Sequence, residues 1–91
     1  MTILSQEEIK KHLELLDEWR LDGDAIKREW IFNDFSEAMD FINMIAVMAE
    51  KHNHHPEIFN VYNQVSLRFN SHDAGGITER DINIAKEINK L

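Results

Sequence analysis

Apolar residues recur along this chain at two spacings, and the change from one spacing to the other marks seven elements. In three segments they stand three or four residues apart, the period of a helix that buries one face. In four short segments they alternate with polar residues, the period of a strand. The pattern predicts helices near 6–16, 34–55 and 78–91, and strands near 19–21, 26–32, 58–62 and 65–71.

Residues that favour helix ends lie at the borders of these segments. Ser5 and Glu8 have the spacing of a capping box, in which each side chain satisfies a free backbone N–H at the helix start. Asp34, with a glutamate three residues on, offers the same pairing, and Thr78 is a good N-cap for the third helix. Pro56 ends the second helix, because the residue before a proline avoids helical geometry.

Two turns predict how the strands pair. Asp22-Gly23 is a strong hairpin dipeptide, because glycine adopts positive φ without strain, and Asn63-Gln64 is the predicted turn between the last two strands. Strands joined by such tight turns are antiparallel. The predicted fold class is α+β, a four-stranded antiparallel sheet with three helices on one face, in the order α-β-β-α-β-β-α.

Length and charge narrow the classes of function. With 91 residues the chain is expected to form a single domain over residues 1–91. Ten Lys and Arg against seventeen Asp and Glu give a formal net charge of −7, whereas a non-specific nucleic-acid binder needs a basic face to displace counterions from phosphate. The same balance argues against an anionic membrane surface. We therefore expect neither nucleic acid nor a membrane as a partner.

The chain has no cysteine, so neither a disulfide nor a thiolate zinc site can stabilise it. It has no run of 18 apolar residues, and its first residues lack the basic start and apolar core of a signal peptide. We expect a cytoplasmic protein that is stabilised by packing, including packing against a second copy.

The least ordinary segment carries three of the five histidines: Glu50-Lys51-His52-Asn53-His54-His55-Pro56. Histidine is the one side chain whose unperturbed pKa lies near neutrality. Two imidazoles beside one substrate can therefore hold opposite protonation states, so that one donates a proton while the other accepts one. Such a segment is a candidate for acid–base catalysis.

A further histidine, His72, follows the last predicted strand. Antiparallel pairing about the predicted turn places residues near Pro56 opposite residues near Ser71. We therefore expect His72 to lie close to His54 and His55, at one end of the sheet.

Other interpretations of these residues are open at this point. A histidine cluster can be a solvated loop, and three imidazoles can ligate a metal, although the metalloprotease spacing His-Glu-x-x-His is absent. Gly75-Gly76 is either a plain loop or a close approach of the backbone to a ligand. Asp81 can be only a charge at a helix start.

Together these residues resemble a known family. The segment from Glu50 to Pro56, the run Phe59-Asn60-Val61-Tyr62-Asn63, and then His72, Gly76 and Asp81 are similar to pterin-4a-carbinolamine dehydratases. The similarity extends from about Trp19 to the C-terminus and is densest between Ala49 and Ala85. It departs at Ile58, where related chains often carry tryptophan.

The resemblance implies an α+β fold, a homodimer through the sheet edge or a homotetramer through helices, and a pterin as the small-molecule substrate. The implied reaction removes water from 4a-hydroxytetrahydrobiopterin, or a related pterin-4a-carbinolamine, to give the quinonoid dihydropterin. It needs no metal and no organic cofactor. The enzyme class that the resemblance implies is a hydro-lyase that acts in pterin recycling.

The same resemblance gives residue roles. His54 and His55 match the paired active-site histidines and His72 the third, and we predict that His54 and His72 share the acid and base roles while His55 holds the hydroxyl or the ring. The residues predicted to bind the substrate or orient these groups are Glu50, Pro56 and Asp81. The alternative function is a non-catalytic, dimeric partner-binding or assembly-factor protein of the same fold.

Overall fold

The computed structural model describes residues 2–91, which form three helices and four strands in the predicted order. The elements are α1 (Gln6–Glu14), β1 (Arg20–Asp22), β2 (Ala25–Ile31), α2 (Phe35–His52), β3 (Glu57–Val61), β4 (Gln64–Phe69) and α3 (Glu79–Ile88). Every predicted element is present, and the differences are confined to the element ends.

The four strands form one antiparallel sheet in the order β1-β2-β4-β3, so β4 pairs with both β2 and β3. One face of this sheet carries Ile26, Leu67 and Phe69, which are fully buried. They belong to one apolar cluster with residues from all three helices. Burial of this cluster is the main stabilising contribution to the fold, and the predicted fold class is confirmed.

The turn between β3 and β4 differs from the predicted one. It consists of Tyr62 and Asn63, with Val61 and Gln64 as the last cross-strand pair. Tyr62 adopts the left-handed conformation with φ of 49°, and the Asn60 side chain donates to the carbonyls of Tyr62 and Gln64 at 3.2 and 2.8 Å. Every cross-strand partner therefore moves by two positions, which leaves the side-chain faces as predicted because strand side chains alternate with a period of two.

The predicted helix caps are present at α1 and α3 and partial at α2. Ser5 and Glu8 form a complete capping box, and so do Thr78 and Asp81. Asp34 accepts the backbone N–H of Glu37, the third residue of α2, at 2.8 Å. The Glu37 carboxylate, however, accepts the backbone N–H of Asn33 and not that of Asp34. These bonds satisfy N–H groups that have no partner inside a helix.

The face of the sheet opposite the helices carries apolar side chains in the open. Ile31, Phe59 and Val61 are each more than half exposed. A cavity of about 690 Å³ lies over this face, between residues of β2, β3 and β4. β3 is also an edge strand, because it pairs on one side with β4 alone.

The longest helix, α2, spans 18 residues, and its buried Phe41 and Ile45 belong to the apolar cluster that covers the sheet. Neither α2 nor another helix within residues 2–91 combines the length and the apolar character needed to cross a membrane.

Candidate active site

The end of α2 directs His54 into the protein. Asn53 adopts the left-handed conformation with φ of 49° and ψ of 45°, which asparagine tolerates better than most residues. The Asn53 N–H donates to the carbonyl of Glu50 at 3.2 Å and the His54 N–H to that of Ala49 at 3.0 Å, the two bonds of a Schellman motif. The helix thus ends at His52 because of Asn53, three residues earlier than the proline signal alone predicts.

The His54 ring is buried between the core and the start of α3. It is 5% exposed, and it stacks on Phe69 with the ring centroids 5.6 Å apart and the planes at 26°. Its Nε2 lies 2.5 Å from Oδ1 of Asp81, which is fully buried. A buried charge is stable only when paired and hydrogen-bonded, so this contact fixes both side chains.

Three donors converge on the Asp81 carboxylate. Oδ1 faces the His54 ring, while Oδ2 accepts the Thr78 N–H at 2.9 Å and the Ser71 hydroxyl at 2.9 Å. Ser71 and Thr78 are themselves joined hydroxyl to hydroxyl at 2.8 Å. Asp81 is therefore more than a charge at a helix start, since it connects α3 to His54 and to the segment after β4.

This network sets which nitrogen of His54 carries a proton. The two donors to Oδ2 and the N-terminus of α3 stabilise negative charge on Asp81, so the carboxylate accepts and the His54 Nε2–H donates. The other nitrogen, Nδ1, has no hydrogen-bond partner among residues 2–91, and it is not among their fully buried unpaired atoms. Nδ1 is therefore the ring nitrogen that this network leaves unpaired.

His55 lies on the surface beside Glu50. Its Nε2 is hydrogen-bonded to the Glu50 carboxylate across the end of α2, and both side chains are more than half exposed. An exposed pair of this kind contributes little to stability, but it does restrict the orientation of the ring. The half-buried Pro56 follows directly and precedes the first residue of β3.

His72 is exposed in a tight turn that follows β4. The turn is closed by a bridge between Ser71 and Gly76, with the Ser71 N–H donating to the Gly76 carbonyl at 3.0 Å. Gly75 has φ of 84°, which favours glycine, and a Cβ at Gly76 would lie 3.3 Å from the Ile3 side chain. Both glycines therefore have a structural explanation: the backbone conformation of Gly75 and the close approach of Gly76 to Ile3.

The structure brings together some of the predicted site residues and leaves the arrangement of the others as a prediction. His54 and Asp81 are in contact, and His55 contacts Glu50. Ser71, which bonds to Asp81, directly precedes His72 in the chain. That all three imidazoles face one substrate remains a prediction. The cavity on the open sheet face includes none of them.

Two residues of the network, Ser71 and Thr78, were not predicted as part of the site. The Thr78-x-x-Asp81 capping box was a visible signal for one of them, but it indicates a helix start and not a contact with histidine. The metal-site interpretation finds no counterpart, because residues 2–91 contain no cluster of three or more His, Cys, Asp or Glu side chains placed to hold a metal ion.

Comparisons with known proteins agree on one family. A model of the family described as pterin 4 alpha carbinolamine dehydratase matches residues 2–91. A protein of Sulfurisphaera tokodaii named "Putative pterin-4-alpha-carbinolamine dehydratase" is 40% identical over 91 residues, which cover 100% of this chain and 98% of that protein. A protein of the same name from Burkholderia multivorans is 49% identical over 90 residues, covering 97% and 88%.

A solved structure is also similar. It is described as the crystal structure of a transcriptional coactivator/pterin dehydratase from Brucella melitensis. It superposes with a TM-score of 0.91 at 42% sequence identity, and the alignment covers 98% of this chain and 97% of that one.

Proposed function

This chain belongs to the pterin 4 alpha carbinolamine dehydratase family, and from this premise we propose that it removes water from a 4a-hydroxytetrahydropterin to give the quinonoid dihydropterin. The observation that carries the proposal is the state of His54. Its Nε2 is held by a buried carboxylate at 2.5 Å, while Nδ1 is left without a protein partner among residues 2–91. A neutral imidazole held in one tautomer is suited to act as a general base.

The reaction needs two proton transfers. One proton leaves the ring nitrogen next to carbon 4a, and the electron pair of that N–H bond forms the new carbon–nitrogen double bond. The carbon–oxygen bond breaks, and the departing hydroxyl takes up a proton and leaves as water. We assign these transfers to His54 and His72 as acid and base, with Asp81 stabilising the imidazolium that forms on His54.

The remaining predicted residues would bind or orient the substrate. His55 is exposed and tied to Glu50, so its ring can hold the substrate hydroxyl or the flat pterin with a restricted orientation. Pro56 fixes the backbone at the start of β3, because its ring allows little change in φ. These roles are carried over from the family to the matching residues of this chain.

The test is a stopped dehydratase assay with synthetic 4a-hydroxytetrahydropterin. His54→Ala and His72→Ala should each lower kcat by about 10²–10⁴-fold, the usual contribution of one positioned proton-transfer group. The matched control is His12→Ala, which removes a histidine that pairs with Glu79 and has no predicted role in the site. If both active-site variants keep the wild-type rate, the assignment of the two histidines is wrong.

The second candidate function is a non-catalytic dimeric protein that binds a partner. The Brucella melitensis structure is described as a coactivator as well as a dehydratase, and this chain has exposed apolar residues on the open face of its sheet, among them Ile31 and Phe59. An inactive wild-type protein in the stopped assay would favour this candidate.

We also expect a homodimer or homotetramer in the cytoplasm. β3 has a free edge whose backbone groups can pair with β3 of a second copy, and Phe59 on this strand is 61% exposed. In sedimentation experiments the wild type should form a dimer, and Phe59→Lys should dimerise more weakly. A monomeric wild type at micromolar concentration would refute the edge-to-edge pairing.

A further inference from the structure

We propose that Ser71 is a positioning residue of the dehydratase site: its hydroxyl acts through Asp81 to fix the tautomer and the orientation of His54. The inference rests on the proposed function, and it adds a residue to which the sequence assigned no role. Ser71 Oγ lies 2.9 Å from Asp81 Oδ2, and the opposite oxygen of the same carboxylate faces His54 Nε2 at 2.5 Å.

Counting hydrogens gives the direction of each bond. An ionised Asp81 can only accept, so the single hydroxyl proton of Ser71 goes to Asp81 Oδ2. Ser71 Oγ must then accept from Thr78, whose own oxygen accepts the Arg80 N–H at 3.2 Å. The bonds therefore run from Thr78 to Ser71 to Asp81, and His54 donates from the other side. Each bond in the chain supports the protonation of His54 at Nε2.

Burial makes the Ser71 hydroxyl hard to replace. Ser71 is 1% exposed, and Asp81 and Thr78 are 0% exposed. A buried carboxylate that loses one donor is left with unsatisfied acceptor capacity in a medium of low dielectric. The position of the carboxylate then depends more on the His54 bond, and the ring is less constrained in tautomer and angle.

The backbone of Ser71 has a separate role from its side chain. Its N–H donates to the Gly76 carbonyl at 3.0 Å, and its carbonyl accepts the Ala74 and Gly75 N–H groups at 3.0 Å each. These bonds close the turn that carries His72. They do not involve the hydroxyl, so Ser71→Ala removes the bond to Asp81 while it leaves the His72 turn closed.

The experiment compares Ser71→Ala with Ser71→Thr, which keeps a hydroxyl, and with Ser66→Ala as the matched control. Ser66 is a mostly buried serine of β4, but its side chain lies on the open face of the sheet, away from Asp81. Ser71→Ala should lower kcat by about 10- to 100-fold, the rate equivalent of one lost bond to a buried charge, with KM almost unchanged. Ser71→Thr should recover most of the rate, and Ser66→Ala should keep it.

A second readout separates positioning from a merely structural role. The ¹⁵N shifts of the His54 ring distinguish the Nε2–H form from the Nδ1–H form. We expect a single Nε2–H form in the wild type and in Ser66→Ala, and a mixture or broadened signals in Ser71→Ala. Ser71→Cys, whose thiol is a weaker donor of similar volume, should be intermediate, and it serves if the alanine variant does not fold.

The outcomes also separate this inference from the proposed function. If the wild type lacks dehydratase activity, the proposed function fails, while the ¹⁵N readout still tests whether Ser71 sets the tautomer. If the wild type is active and Ser71→Ala keeps both its kcat and the His54 signals, the positioning role is refuted. A loss that appears only in KM would refute it as well.

Discussion

The substitution Asp81→Asn tests whether the buried carboxylate controls His54. The amide has nearly the shape of the carboxylate, so the volume at the start of α3 is kept. Its oxygen can still accept the Thr78 N–H and the Ser71 hydroxyl. Its NH₂ group then faces His54 Nε2 and donates to it, which forces the ring into the Nδ1–H tautomer. The free nitrogen of His54 would carry a proton instead of a lone pair.

The stability cost can be worked from the bonds of Asp81. In the wild type, three hydrogen bonds end on the charged Asp81 carboxylate. In Asp81→Asn each of them becomes a bond between neutral groups, which is weaker by about 1 kcal/mol. Removal of the charge also lifts the cost of burying it, which offsets part of this loss. We expect a net loss of about 2 kcal/mol in the free energy of unfolding, or a Tm lower by about 8–16 °C for a protein of this size.

The expected effect on catalysis is larger than the effect on folding. An active-site histidine held in the wrong tautomer loses up to about 10⁴-fold in kcat. The assays are urea unfolding, the stopped dehydratase assay, and the ¹⁵N shifts of the His54 ring at one pH. The matched control is Asp40→Asn, the same chemical change at an exposed carboxylate of α2. It should change stability by less than about 0.5 kcal/mol and leave kcat unchanged.

A specific result would refute this reasoning. If Asp81→Asn unfolds at the wild-type urea concentration and retains the Nε2–H form of His54, the carboxylate does not set the tautomer. A normal tautomer with a large loss of kcat would place the role of Asp81 elsewhere in the reaction.

Three further predictions concern the elements that support the site. Asn53→Ala should lose about 1 kcal/mol in urea unfolding because alanine resists the left-handed conformation, whereas Asn53→Gly should unfold as the wild type does; equal losses in both variants would contradict this. Phe69→Ala should lose about 3–5 kcal/mol by cavity formation under the ring of His54, and an unchanged Tm would argue against the stacked arrangement. The backbone and side-chain hydrogen bonds of Ser5 hold the pKa of Glu8 below its ordinary value. Ionised Glu8 therefore stabilises the fold at any pH above the ordinary pKa. This contribution is lost as the pH falls through the lower pKa of the folded state. Glu8→Gln, which keeps a capping group, should therefore melt below the wild type at neutral pH and together with it in acid, and a pH-independent difference would contradict the sign.

The order of the elements could be read from the sequence because its signals are local. The apolar spacing of three and four residues, the Ser5–Glu8 box and the Thr78 cap each act within one or two helical turns. The pairing of β3 with β4 was predicted with its turn one residue too late. The reason is that Tyr62, an aromatic residue, adopts a conformation that is common only for glycine, asparagine and aspartate.

The candidate site was predicted less completely. The histidine segment and Asp81 stood out by residue type and by resemblance, and His54 and Asp81 indeed meet. The participation of Ser71 and Thr78 was not visible, because serine and threonine are common in turns and caps and carry no signal of what they contact. The end of α2 was assigned to Pro56, although Asn53 and its left-handed conformation produce it.

The sequence by itself therefore determined the seven elements, the α+β class and the residues able to exchange protons near neutral pH. Only the tertiary structure decided which nitrogen of His54 is free. That choice depends on three separate segments of the chain, around residues 54, 71 and 81, which meet through the hydrogen bonds of the Asp81 carboxylate. The physical reason is that spacing along a chain encodes periodicity and caps, whereas the partner of a buried side chain is set by strand register and helix packing.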